Sequence, residues 1–304
     1  MNRLVRPLAT LVILMATCAM ASTPISDRLS AKTSHTQALS LPEGRLAYED
    51  SGHDGPIVLC IPGLGDTRGQ FRLFAPALVA SGYRVVTVDP PGQGDSDATF
   101  SSYTASAVGD DMLALVDHLQ APVYLIGNSF GGAAAAWIAA KRPDQVRGLV
   151  FLDAFLRDPP VSFFQKTALQ VALHGPWAIA VWTHYYKSLF IGHPPRDLAE
   201  YSAALAASLE RPGYLEAMRA MAFSTKADVE ARLKDIRAPV LAIAGTDDPD
   251  FESPEGEVDW IVQTMHGEKR MIQHAGHYPH LEDAEEVAAA VHDFIGRTRT
   301  EQVR

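Results

Sequence analysis

The stretch that most constrains this chain is an apolar run, Val123-Tyr124-Leu125-Ile126. It breaks into Gly127-Asn128-Ser129-Phe130-Gly131-Gly132 and passes without a spacer into Ala133-Ala134-Ala135-Ala136-Trp137-Ile138-Ala139-Ala140. The first run has the branched and aromatic residues of a buried strand, and the last is dominated by the strongest helix former. The residues between must therefore turn the chain sharply from strand to helix. Glycines on either side of a serine relieve crowding around a strained backbone and let the hydroxyl stand out into a cleft, the arrangement of a nucleophile elbow. Glycine also flanks serine in ordinary turns, so it is the strand and helix on either side that favour the nucleophile.

Around this junction short β-rich runs alternate with helical stretches. Strands are expected over 57–61, 84–88, 123–126, 146–152, 240–244 and 269–273, with helices over 71–81, 105–119, 255–266 and 284–297. That alternation predicts an α/β fold, a mostly parallel sheet with helices on both faces. Residues 38–41 and 45–50 flank Pro42-Glu43-Gly44 and read as an antiparallel hairpin at the sheet edge. The alternation stops after 152 and resumes at 240, and no strand is expected between. The segment 155–235 therefore reads as a helical insertion in a core formed by 38–154 and 236–300. It is rich in Phe163, Phe164, Trp177, Trp182, Tyr185, Tyr186, Phe190, Tyr201, Tyr214, Met218, Met221 and Phe223. Most of these should pack helix against helix, and about a third should line a ligand cavity.

The N-terminus carries Arg3 and Arg6, an apolar stretch from Leu8 to Met20, and a small-x-small site at Ala19-Met20-Ala21. Residues 1–21 read as a signal peptide, which implies export to the periplasm or medium, with 22–37 as a flexible lead-in. The apolar run falls short of the ~20 residues a membrane span needs, so no stable span is expected. Acylation of Cys18 fits poorly with the preceding Met15-Ala16-Thr17. Cleavage takes the formal charge from -10 to -12, which argues against nucleic acid as a partner. It leaves Cys60 alone, with no intramolecular disulfide possible, in an apolar run that suits an inert buried thiol.

A serine hydroxyl needs a base within hydrogen-bond reach and a third group to fix the base's tautomer. His277, in Ala275-Gly276-His277-Tyr278-Pro279, follows the last expected strand. An acid lies in Gly245-Thr246-Asp247-Asp248-Pro249, directly after the strand at 240–244. The chain order is serine, aspartate, histidine.

These pieces resemble the α/β-hydrolase superfamily, in its lid-bearing serine hydrolase branch, over nearly all of the chain after residue 37 except the insertion. The matching motifs are Ile61-Pro62-Gly63-Leu64-Gly65, Asp89-Pro90-Pro91-Gly92-Gln93-Gly94-Asp95-Ser96-Asp97, the elbow, the Gly-x-x-Asp turn ending at Asp248, and Gly276-His277 followed by Glu282. The resemblance implies an α/β-hydrolase fold with a helical lid at 155–235. It implies Ser129, Asp248 and His277 as a catalytic triad, and the backbone N–H groups of Leu64 and Phe130 as the oxyanion hole. Asp248 is preferred to Asp247 because it stands three after the glycine. Asp153, at the end of the sixth strand, competes for the role, since some relatives draw the acid from there. Two motifs depart from the common pattern: Pro62-Gly63 replaces His-Gly, and Pro91-Gly92-Gln93-Gly94 replaces Arg-Gly-His-Gly. Neither removes a backbone donor from the expected hole.

No cofactor and no metal are expected. His274, His277 and His280 have ligand-like spacing but no helix to present them, and Asp247-Asp248-Pro249-Asp250 lacks an EF-hand pattern. The leading expectation is a serine carboxylesterase or lactonase acting on a small, mostly apolar molecule through an acyl-enzyme. Asn128 before the serine also resembles the elbow of carbon-carbon hydrolases that act on aromatic ring-cleavage products, although an asparagine suits a plain turn as well. A ligand receptor on the same fold is the non-enzymatic alternative.

Overall fold

The apolar runs form one sheet because their side chains alternate between two separate hydrophobic layers. In the computed structural model, which describes residues 36–159 and 162–302, the strands are β1 (Gln37–Ser40), β2 (Arg45–Asp50), β3 (Ile57–Ile61), β4 (Arg84–Val88), β5 (Val123–Asn128), β6 (Val146–Leu152), β7 (Val240–Gly245) and β8 (Glu268–Ile272). Their order is β1-β2-β4-β3-β5-β6-β7-β8. The β1–β2 and β2–β4 pairs are antiparallel and all others parallel. The expected edge hairpin is therefore present, and it begins at Gln37, the last residue assigned to the lead-in. The signal peptide expected over 1–21, Cys18 included, and the lead-in up to residue 35 lie outside the described residues.

On one face Ile57, Leu59 and Ile61 of β3, Val123 and Leu125 of β5, and Val240, Ala242 and Ala244 of β7 pack under three helices, α2 (Ala105–His118), α3 (Phe130–Lys141) and α9 (Pro254–Met265). On the other, Val58, Cys60, Tyr124, Ile126, Leu241 and Ile243 pack under α1 (Ala75–Ala80) and α11 (Ala284–Gln302). Central strands buried on both faces explain why the sequence runs are continuously apolar rather than alternating. The helix α3 is buried almost all round, which its run of alanine and glycine permits.

Between β6 and β7 the chain forms α4 (Phe163–His174), α5 (Ala178–Ser188), α6 (Leu198–Leu209), α7 (Tyr214–Phe223) and the short α8 (Ala227–Glu230), with no strand among the described residues. This insert has its own small cores. Tyr186, Leu189, Phe190 and Leu205 pack with Tyr278 and Leu281 of the sheet domain, and Leu173, Trp182, Leu209 and Met218 pack with Leu64. Not all its aromatic residues are core: Phe164 is 82% and Trp177 40% exposed. No helix among the described residues is long and apolar enough to cross a membrane.

The strand order reverses between β3 and β5, because β4 lies on one side of β3 and the later strands on the other. At such a switch point the loops leaving the carboxyl ends of neighbouring strands diverge and open a crevice. The loop after β3 and the turn after β5 are the two motifs that carry Leu64 and Ser129.

Candidate active site

Ser129 lies between β5 and α3 with φ 52° and ψ -122°, a backbone conformation that residues with a side chain rarely adopt. The neighbouring glycines permit it. A Cβ at Gly127 would fall 2.5 Å from the Gly131 carbonyl oxygen, and one at Gly131 2.4 Å from the carbonyls of Ile61 and Pro62. The serine is 9% exposed. The loop after β3 passes directly over it, since a Cβ at Gly63 would stand 3.0 Å from the Ser129 Cβ. Leu64 follows in that loop, and Phe130 is the first residue of α3, where a backbone N–H has no intrahelical partner and feels the positive end of the helix dipole.

The loops after β7 and β8 meet beside the elbow. The His277 Nδ1 donates to Asp248 Oδ2 at 2.7 Å, with both side chains buried. Asp250 Oδ2 is 3.8 Å from the same nitrogen. Burial alone would push the imidazole toward its neutral form, but the Asp248 and Asp250 charges overcome it and raise the pKa to about 9. Asp250 in turn accepts the Tyr185 hydroxyl of α5 at 2.5 Å. Its own pKa rises to about 6 through burial, with the His277 charge pulling the other way. Phe155 and Phe251 flank the imidazole, with ring centroids 6.0 and 6.3 Å away.

Asp153, the competing acid, is brought to the same place but does not hold the histidine. Its Oδ1 accepts the Gly245 N–H at 3.0 Å. Its other oxygen is buried with no hydrogen-bond donor. Its carboxyl interacts with that of Asp248.

A second buried cluster, which reaches the loop after β3, holds the loops without formal charge. The Gly63 N–H donates to Gln70 Oε1 at 3.1 Å. Gln70 Nε2 donates to Asn128 Oδ1 at 2.6 Å and to His280 Nε2 at 3.0 Å. Asn128 Nδ2 donates to the carbonyls of Leu152 at 3.0 Å and His277 at 3.3 Å. Burial, aided by the His277 and Arg72 charges, lowers the His280 pKa to about 3, so this imidazole is neutral. Asn128 is thus a bracket between the elbow and the histidine loop, a use that the turn-geometry reading anticipates only in part. Gln70 carried no sequence signal at all.

The insert is tied to these loops by polar side chains whose partners the sequence does not reveal. Tyr201 donates to Asp66 at 2.5 Å, and Arg72 forms a two-pronged pair with Asp197 at 2.7 and 2.6 Å. Glu282 accepts N–H groups from both partners: Gly276 at 2.7 Å beside His277, and Gly192 at 2.6 Å and His193 at 2.9 Å in the insert. Its place in the Gly-His…Glu motif was visible, but its partners were not.

The three spaced histidines do not converge. His274 is exposed near Asp247, His277 faces Asp248, and His280 faces Gln70. Among the described residues the one group with ligand-type atoms within 4.8 Å of one another is Asp153, Asp248 and His277, and its histidine nitrogen is already committed to Asp248.

The chain matches the Alpha/beta hydrolase family over residues 58–290. It is 30% identical over 246 residues to the pimeloyl-(acyl-carrier protein) methyl ester esterase of Neisseria meningitidis, covering 78% of this chain and 92% of that relative. It is also 30% identical over 178 residues to the 3-oxoadipate enol-lactonase 2 of Acinetobacter baylyi, covering 58% of this chain and 65% of the relative's length. The crystal structure of bromoperoxidase from Bacillus anthracis shares the fold, with a TM-score of 0.73 at 23% identity over 83% of this chain and 96% of that one. With the sheet order, the strained serine turn and the loops gathered at the carboxyl ends of the strands, this chain belongs to the alpha/beta hydrolase family.

Proposed function

We propose that this hydrolase cleaves a small, mostly apolar ester or lactone through an acyl-enzyme on Ser129. In this reading His277 takes the serine proton as Oγ attacks the carbonyl and returns it to the leaving alcohol. Asp248 holds the imidazole tautomer and offsets the imidazolium charge, and the N–H groups of Leu64 and Phe130 receive the oxyanion. Water, activated by the same imidazole, then releases the acid. The observation that carries the proposal is the buried 2.7 Å contact from His277 Nδ1 to Asp248 Oδ2, made beside a serine held in an elbow conformation. The contact leaves Nε2 as the nitrogen available to act as base. The Leu173, Trp182, Leu209 and Met218 cluster against Leu64 favours an apolar substrate group, and the names of the relatives, an esterase and a lactonase, favour an ester bond. The insert is read as the lid over this crevice.

The decisive experiment pairs a fluorophosphonate probe with a hydrolysis screen across ester chain lengths, lactones and carbon-carbon cleavage substrates. The probe should label Ser129. Ser129→Ala should lose at least ~10³-fold in kcat with the fold intact. A Ser129→Ala protein with unchanged turnover would refute the mechanism. Labelling in a single turnover without sustained hydrolysis would point instead to the receptor.

Export belongs to the same proposal, supported by the arginines, the short apolar run and the small residues up to Ala21. Protein from the envelope fraction should have an intact mass that begins at Ser22; a retained N-terminus or a lipid on Cys18 would overturn it.

A further inference from the structure

Three carboxyl groups surround His277, and one imidazole has need of only one. Asp248 bonds to Nδ1, and Asp250 is occupied by Tyr185 on the insert. Asp153 is the unexplained one. It is 2% exposed, and φ at this residue is 44°, in the left-handed region. One of its oxygens is satisfied by the Gly245 N–H, which fixes the side chain. The other is buried with no donor, and the Asp153 and Asp248 carboxyl groups interact, with Asp153, Asp248 and His277 each presenting an atom within 4.8 Å of the others. Two ionised carboxylates in that contact would present acceptor to acceptor, and both would be desolvated. The His277 imidazole is already committed to Asp248 Oδ2 at 2.7 Å, and the other charges nearby do not relieve the pair. Asp250 adds a third negative charge, and Glu257, which lines a small cavity with Asp153, is neutralised by Arg157 at 2.7 Å.

We propose that Asp153 is a positioning residue that holds a proton on Oδ2 and donates it to Asp248, fixing the carboxylate that orients His277. A neutral Asp153 converts the orphaned acceptor into a donor, so every buried oxygen of the pair gains a partner. It also leaves Asp248 as a single charge in a fixed orientation, rather than half of a repelling pair. Burial first, and then the charge of Asp248, hold the Asp153 carboxyl well above the usual carboxylate range, in agreement with the geometry. No proton moves to or from Asp153 during turnover.

The inference rests on the triad reading, and its test separates the two. Infrared difference spectroscopy of the purified protein at neutral pH should show the carbonyl stretch of a protonated carboxyl group that disappears in Asp153→Asn and persists in Ser129→Ala. Absence of that band, or its survival in Asp153→Asn, would overturn the proposal whether or not the enzyme is active. Kinetics supply the second arm, with a p-nitrophenyl ester as probe. Asp153→Asn keeps an acceptor for Gly245 and a donor for Asp248 without changing charge, so kcat should stay within about threefold of wild type and the ascending limb of the pH profile should not move. If Asp153 were ionised, the same substitution would remove a negative charge beside His277 and displace that limb by about one pH unit to the acid side. Asp153→Ala removes the donor altogether and should lower kcat by about tenfold with KM unchanged. Full activity in Asp248→Asn would refute the triad while leaving the infrared result to stand or fall by itself.

Discussion

The two sides of Ser129 solve the same problem, holding buried polar loops in place, by different means. On the His277 side the fixing groups are acids, and the histidine is raised to about 9 by their charge against the pull of burial. On the Gly63 side they are two amides and a neutral histidine, and the same burial, unopposed by any acid, lowers His280 to about 3. The two imidazoles lie three residues apart and are equally buried, at 2% and 0% exposure. Burial therefore decides the protonation only where no acid opposes it; beside Asp248 and Asp250 the partners win. A charged cluster can set a proton affinity, whereas a neutral one can only set a geometry, and a hydrolytic site of the kind proposed needs one of each.

The largest effect should come from breaking the charged side. Asp248→Asn keeps shape but favours the wrong imidazole tautomer, so kcat should fall by up to ~10⁴-fold. Steady-state kinetics on an activated ester would measure it, and a near-normal rate would mean that the histidine is oriented by another group.

Breaking the neutral side should cost less and differently. Gln70→Ala strips the Gly63 N–H and Asn128 Oδ1 of their partners and frees the loop over Ser129. We expect kcat to fall by about 10- to 100-fold from the displaced loop. The ascending limb of the pH profile, set by His277, should stay where it is. A moved limb would show that the two sides are electrostatically joined.

The histidines should also leave opposite marks on stability. His277 has a folded pKa of about 9 against the ordinary 6.5, so its contribution is complete below pH 6.5 and is lost as pH rises through about 9. His280 is lowered from 6.5 to about 3, so the unfolded chain binds the extra proton, and stability is lost as pH falls from 6.5 toward 3. Urea midpoints across pH for His277→Gln and His280→Gln should flatten the alkaline and acid declines respectively. Flattening of the same limb by both variants would break the comparison.

The smallest effect concerns the insert. Tyr185→Phe removes the hydrogen bond that holds down the Asp250 pKa, leaving less negative charge beside His277. The ascending limb should shift toward lower pH by less than about one unit. No shift would mean that the insert position is not felt by the histidine.

Much of this molecule is legible in its local sequence. The run 146–152 is β6 as expected, the last helix starts at Ala284 as expected, and among the described residues no strand lies between β6 and β7. Continuous apolar runs, a helical period and glycine at a turn are local properties, set by steric and solvation preferences over a few residues. The places of Ser129, Asp248 and His277 were legible for the same reason, since each follows the end of a strand in a turn with a recognisable composition. The sequence by itself thus determined the layers of the fold, the helical stretch between β6 and β7 and the loops that carry Ser129, Asp248 and His277.

Tertiary structure decided the rest. Gln70 meets residues 58 and 210 positions away, and Tyr185 reaches Asp250 across 65; no local pattern encodes such pairs. The choice between Asp153 and Asp248 was of this kind. Both stand at strand ends with a good claim to the histidine, and the difference lies in where each carboxyl points once β6 and β7 are side by side: one toward His277 Nδ1, the other toward the Gly245 N–H. The protonation of the buried groups also followed from the fold alone, because desolvation and charge act over a few ångströms in space and not along the chain.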